Sequence, residues 1–143
     1  MPKFILGAAI AALATAVLAS PAAAFDRHFT VLANQKSSHR AGSNAFVAKH
    51  KLLDPNNRGS KVGRDRVKCR DKGRGLKCHA LFHLNGRIGG KGHIRVKGDL
   101  QRGDHHLVVI GGTRQFNGVA GKLTILPSTK PGISRRYHFD LVR

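Results

Sequence analysis

From about residue 27 onward, apolar and polar positions alternate in short runs, and clusters of Gly, Asn, Asp and Pro interrupt them. A period of two is the mark of a strand with one buried face. Eight such runs lie near 27–34, 43–52, 61–70, 76–85, 88–97, 105–112, 117–126 and 133–142. The links "DPNNRGS", "NGR", "GDLQRGD" and "PSTKPG" carry the residues that turns require. Helical periodicity is almost absent. Eight strands in one short domain suit a small closed barrel or a sandwich, and closure removes exposed sheet edges.

The stretch "GRDRVKCRDKGRGLKCHALFHLN" predicts its own register. With Gly73-Arg74 as a two-residue loop, Gly takes the first central position that a type II′ turn prefers. Counting outward then sets Asp71 opposite Leu76, Arg70 opposite Lys77 and Cys69 opposite Cys78. The two cysteines meet, which supports both the turn and a disulfide. A metal site is the weaker alternative, since zinc needs four ligands and the chain has only two cysteines. A bridge closing so short a loop contributes about 2–3 kcal/mol in the chain-entropy picture.

The same register sorts the faces. Asp65, Val67, Cys69, Leu76, Cys78, Ala80, Phe82 and Leu84 point to the core, while Arg64, Arg66, Lys68, Arg70, Lys77, His79 and His83 point out. In "KGHIRVK", Ile94 and Val96 face in, and Lys91, His93, Arg95 and Lys97 face out. "LVVI" at 107–110 is apolar on both faces. Such a strand calls for cover on each side, from the core and from whatever packs outside, another subunit being one candidate.

The first residues do not belong to this pattern. Lys3 precedes an apolar stretch from Phe4 to Leu18, and Ser20-Pro21 then leads into the small residues "AAA". This is the layout of a signal peptide, with cleavage expected after Ala24 and a single domain over 25–143. An uncleaved anchor is the alternative, since a span needs roughly 20 apolar residues. The expected setting is exported, secreted or periplasmic, where a disulfide persists. Without Lys3 the domain holds 25 Lys plus Arg against seven Asp and no Glu, a formal +18. Such a charge attracts nucleic acid, anionic lipid or acidic polysaccharide, and says little about the fold.

Familiar catalytic motifs fail on inspection. In "LVVIGGTRQFNGVAGKLTILP", Gly121-Lys122 is followed by Leu123, so a phosphate loop of the G-x-x-x-x-G-K-[ST] kind is excluded. "GKGHIR" has Arg95 where a dinucleotide loop needs its third Gly. There is no G-x-S-x-G elbow. Of the nine histidines, His105 and His106 are adjacent and point to opposite faces, and His79 and His83 lie about 13 Å apart along one strand. No metal and no cofactor are expected. The informative polar groups are those that parity turns inward: Asp65, His50 between Lys49 and Lys51, and Tyr137 in the last strand. A buried carboxylate needs a partner or a function.

"VVIGGTRQFNGVAGKLTI", followed by the closing strand "RRYHFDLV", resembles the G-G-T-G-x-[FY]-x-G-A-x-G segment of dirigent proteins and the related allene oxide cyclase-like barrels. Gly111, Gly112, Thr113, Phe116, Gly118 and Gly121 match; Arg114 stands where a glycine is common, and Val119-Ala120 shifts the small residue by one. The resemblance implies an all-β, eight-stranded antiparallel β-barrel with an apolar lumen, often assembled as a trimer. It implies binding of a small apolar or aromatic ligand whose cyclisation or coupling the lumen steers, without redox chemistry or a cofactor. If turnover occurs, it is that of an isomerase or cyclase. No catalytic residue carries over by position. Phe82, Leu84, Ile94, Val109 and Phe139 are the expected lumen lining, with Asp65, His50 and Tyr137 as its polar groups. The alternative is a non-enzymatic binder of polyanions through an outer face carrying Arg64, Arg66, Lys68, Arg70, Lys77, Lys91, Arg95 and Lys97.

Overall fold

The computed structural model describes residues 25–57, 59–101 and 103–143. The expected leader over 1–24 lies outside the described residues. Eight strands follow one another: β1 (His28–Arg40), β2 (Ala45–Leu53), β3 (Lys61–Asp71), β4 (Leu76–Asn85), β5 (Lys91–Leu100), β6 (His106–Gly112), β7 (Ala120–Pro127) and β8 (Arg135–Val142). They form a closed antiparallel barrel in chain order, with β1 pairing both β2 and β8. No helix among the described residues is long and apolar enough to cross a membrane.

The register counted from the β3–β4 turn is the register found. Cys69 faces Cys78 and the two are bonded, Asp71 faces Leu76, and the Lys72 amide donates to the Gly75 carbonyl at 2.9 Å. Gly73 has φ +81° and Arg74 does not share that sign, as a type II′ turn requires.

Several boundaries move from the expected ones, three of them for a clear local reason. β1 continues to Arg40 as an exposed ribbon paired with β2, past a bulge at Gln35–Ser37. No burial alternates there, so period two cannot mark it. β5 begins at Lys91 because the chain bends through Ile88–Gly90, where Gly89 passes against the Phe29 ring. β7 begins at Ala120 because a short 3-10 turn, Arg114–Phe116, occupies the preceding link.

The glycine-rich link is a corner that plugs the barrel. A Cβ on Gly112 would stand 2.6 Å from Phe116 Cβ, and one on Gly121 (φ +137°) would collide with the Asp140 carbonyl. Only glycine permits this closeness of backbones. The corner thereby drives Phe116 fully inside, beside Phe25 and Phe29. Phe29 stacks on Phe139 at 4.8 Å, and Phe82 meets Phe139 edge-on at 5.0 Å. Arg114, at the position where the dirigent segment has glycine, is the sole non-glycine of positive φ among the described residues, at +55°.

This end of the barrel is therefore solid. The opposite end carries the β1–β2, β3–β4, β5–β6 and β7–β8 links, and there the lumen is open.

Candidate functional site

At the open end the interior widens into a cavity of about 310 Å³. That size matches the lower range of small-molecule sites. Its walls are apolar: Phe46, Ala48, Val67, Leu76, Leu100 and Ile125, with Cys69 of the disulfide among them. Gln35, Asp104, His105, Ser134 and Arg135 supply polar groups to its lining.

His50, Asp65 and Tyr137 meet at one place in this interior. His50 on β2 is the register partner of Asp65 on β3, and parity turns both inward. His50 Nδ1 lies 2.7 Å from Asp65 Oδ1, and the His50 backbone amide donates to the same oxygen at 3.1 Å. An ionised Asp65 only accepts, so in that state Nδ1 carries the proton of this hydrogen bond and Nε2 is the nitrogen left for another partner. Tyr137 comes from β8, packs edge-on against His50 and Phe82, and interacts with the same carboxylate. No hydrogen bond of ordinary geometry reaches Asp65 Oδ2. His50 and Tyr137 both line the cavity.

Burial decides the protonation chemistry. Desolvation raises the Asp65 carboxyl above the usual carboxylate range, and the His50 ring, its charge, its amide and Tyr137 offset only part of that. Burial, then the neighbouring Asp65 charge, pushes the Tyr137 hydroxyl well above the ordinary phenol value. Tyr137 is thus a permanent donor at any physiological pH. The arrangement supplies a base (His50 Nε2), a group that orients and balances it (Asp65) and a neutral donor (Tyr137).

The expected lining residues divide from these three. Phe82, Leu84, Ile94, Val109 and Phe139 are inward and buried, but they pack the filled part of the barrel and do not line the cavity. Inward parity is common to both sets; depth along the axis is not encoded in parity. The walls of the open half come from Phe46, Ala48, Val67, Leu100 and Ile125, none of which stood out for its chemistry.

On the outside, Arg64, Arg66, Arg70, Lys77, Lys91, Arg95 and Lys97 are exposed and Lys68 is half-buried. Cross-strand register lines them up: Arg66, Leu81 and Arg95 form one row, and Lys68, His79, Lys97 and Val108 the next. One pairing escaped the sequence. His83 and His93 are register partners with ring nitrogens 2.9 Å apart, and slight desolvation, His93 and three cations hold His83 below its usual value. Counting across the β4–β5 turn instead of along β4 would have found them. Among the described residues no three His, Cys, Asp or Glu converge as metal ligands.

No family model matches the chain. No curated protein matches it either. Among solved structures it is similar to a pyocyanin demethylase, with a TM-score of 0.61 and 17% sequence identity over 80% of this chain and 99% of that one. The likeness shows a shared antiparallel barrel fold.

Proposed function

We propose that this protein is an exported barrel that binds a small apolar or aromatic molecule in its open half and steers its cyclisation or coupling, in the manner of the dirigent and allene oxide cyclase-like barrels. The observation that carries the proposal is the buried His50–Asp65 pair beside Tyr137, with His50 and Tyr137 lining a partly apolar cavity. Burying a carboxylate is unfavourable, so one retained there calls for a partner or a function. The neighbouring barrel is named for action on a small molecule, pyocyanin, which accords with a ligand-processing lumen.

In this proposal the apolar walls select and orient the ligand by excluding water. His50 Nε2 accepts a proton from an acidic C–H or O–H of the ligand, and Asp65 stabilises the imidazolium so formed. Tyr137 donates a hydrogen bond to the oxygen on which negative charge develops. The proton returns from His50 to a different atom of the same molecule. The net reaction is an isomerisation or ring closure that needs no oxidant; for coupling, the lumen only orients radicals that a separate one-electron oxidant has already formed. Export by cleavage after Ala24 and assembly as a trimer belong to the same proposal.

Extraction of the purified protein and mass spectrometry of what it carries provide the test. A stoichiometric small molecule with an aromatic or otherwise apolar body is expected from the wild type and not from Ala48→Trp. Equal recovery from both would remove the cavity from consideration.

A further inference from the structure

The outer face of β3–β6 combines two features that rarely coincide on a protein surface. Leu81, Val108 and Ile110 are 43%, 57% and 46% exposed, and nothing among the described residues covers them. Ile110 is the extra residue of a bulge where β5–β6 register breaks between Arg95 and Val96, so it is held outward instead of being paired. Cations flank two of these side chains in the cross-strand rows. Leu81 lies between Arg66 and Arg95 in its row, and Val108 lies between Lys97 and Lys122 in the next. A shallow depression of about 620 Å³ runs among these groups, with Leu81 and Ile110 in its lining.

We propose that this face docks the protein on an anionic lipid surface. Cations at the level of headgroup phosphates and aliphatic side chains in the headgroup–acyl boundary are what interfacial binding requires. The competing occupants fit less well. A nucleic acid would meet the Lys and Arg side chains but would leave the three aliphatic groups against phosphate and sugar, and the two rows contain no Phe or Tyr to stack on bases. A second copy joined through the same face would set cation against cation. Spanning is excluded by the outward charges of β3, β4 and β5, where a transmembrane barrel needs an apolar belt. The protein therefore lies on the bilayer, with the axis of its cavity running alongside the lipid rather than through it.

The test is co-sedimentation with vesicles, using protein purified from the compartment where cells accumulate it. Phosphatidylcholine vesicles with and without phosphatidylglycerol are compared at physiological salt. Binding is expected only with phosphatidylglycerol. Arg95→Gln and Lys97→Gln should each lower it about fivefold, the equivalent of about 1 kcal/mol per surface charge. The variant L81S/V108S/I110S, whose net charge is unchanged, should lose most vesicle binding while its retention on heparin stays at the wild-type level. Leu81→Ser and Ile110→Ser alone, each with a partial loss, guard against misfolding of the triple variant. Full vesicle binding by the triple variant, equal binding to both vesicle types, or no binding to either would overturn the proposal.

Discussion

His50 and Asp65 face each other in register across β2 and β3, with Nδ1 2.7 Å from Oδ1 and both side chains sealed inside the barrel. Two strands thus supply an ionisable pair in a buried set that is otherwise apolar apart from the Tyr137 hydroxyl. Removing one partner of such a pair leaves an unpaired buried group, whereas replacing the charge by a neutral isostere does not. That asymmetry makes the pair experimentally accessible.

Asp65→Asn keeps the shape and an acceptor for His50 while removing the charge. Because burial raises the folded-state carboxyl above its unfolded value, the folded protein holds this proton more tightly. The contribution of Asp65 to stability is complete below the unfolded carboxylate value and is lost as pH rises through the raised folded value. At neutral pH the variant should therefore melt higher than the wild type, and the difference should vanish in acid. Thermal melts of both proteins from pH 3 to pH 8 provide the check, and a gap that widens toward acid would refute the assignment.

Reduction of the Cys69–Cys78 bridge, or Cys69→Ala with Cys78→Ala, should lower stability by about 2–3 kcal/mol. Denaturant melts with and without reductant read this directly. Since Cys69 also lines the cavity, its loss should loosen the open end more than the plugged end. Hydrogen exchange should rise first in β3 and β4 beside the turn.

Gly121→Ala should be among the most damaging single changes, at 3 kcal/mol or more, since the new methyl meets the Asp140 carbonyl and φ is +137°. A soluble variant with wild-type melting would contradict the strand approach described for β7 and β8.

Arg114 tests whether the glycine of the dirigent segment is a conformational requirement. At φ +55° an L-residue is strained by about 1–2 kcal/mol, which Gly relieves and Ala does not. Arg114→Gly should therefore be more stable than Arg114→Ala by about 1 kcal/mol in denaturant melts. Both variants lose the same side-chain contacts, so the comparison isolates the backbone.

The eight strands, the β3–β4 register, the disulfide and the inward set His50, Asp65 and Tyr137 were legible from period two and a single turn, whereas a barrel rather than a sandwich was expected only from the resemblance. Depth was not legible. Phe82 and Asp65 are register partners with the same parity, yet one packs into the aromatic cluster and the other beside the cavity. What separates them is the tilt of the strands and a plug residue, Phe116, that lies outside any strand and folds inward through a glycine corner. Such a contact joins distant parts of the chain and leaves no local pattern. The exposed trio Leu81, Val108 and Ile110 was half legible: "LVVI" announced two apolar faces, but the bulge that presents Ile110 arises only from pairing with β5.

Binding of an uncharged aromatic probe bears most directly on the cavity. N-phenyl-1-naphthylamine fluorescence is titrated against the wild type, Ala48→Trp and the outer-face variant L81S/V108S/I110S. Saturable binding at one site per chain is predicted for the wild type and the outer-face variant. Ala48→Trp, which fills the open half, should abolish it without lowering the melting temperature by more than a few degrees. Undiminished binding by Ala48→Trp, or loss confined to the outer-face variant, would contradict the assignment of the lumen as the ligand site.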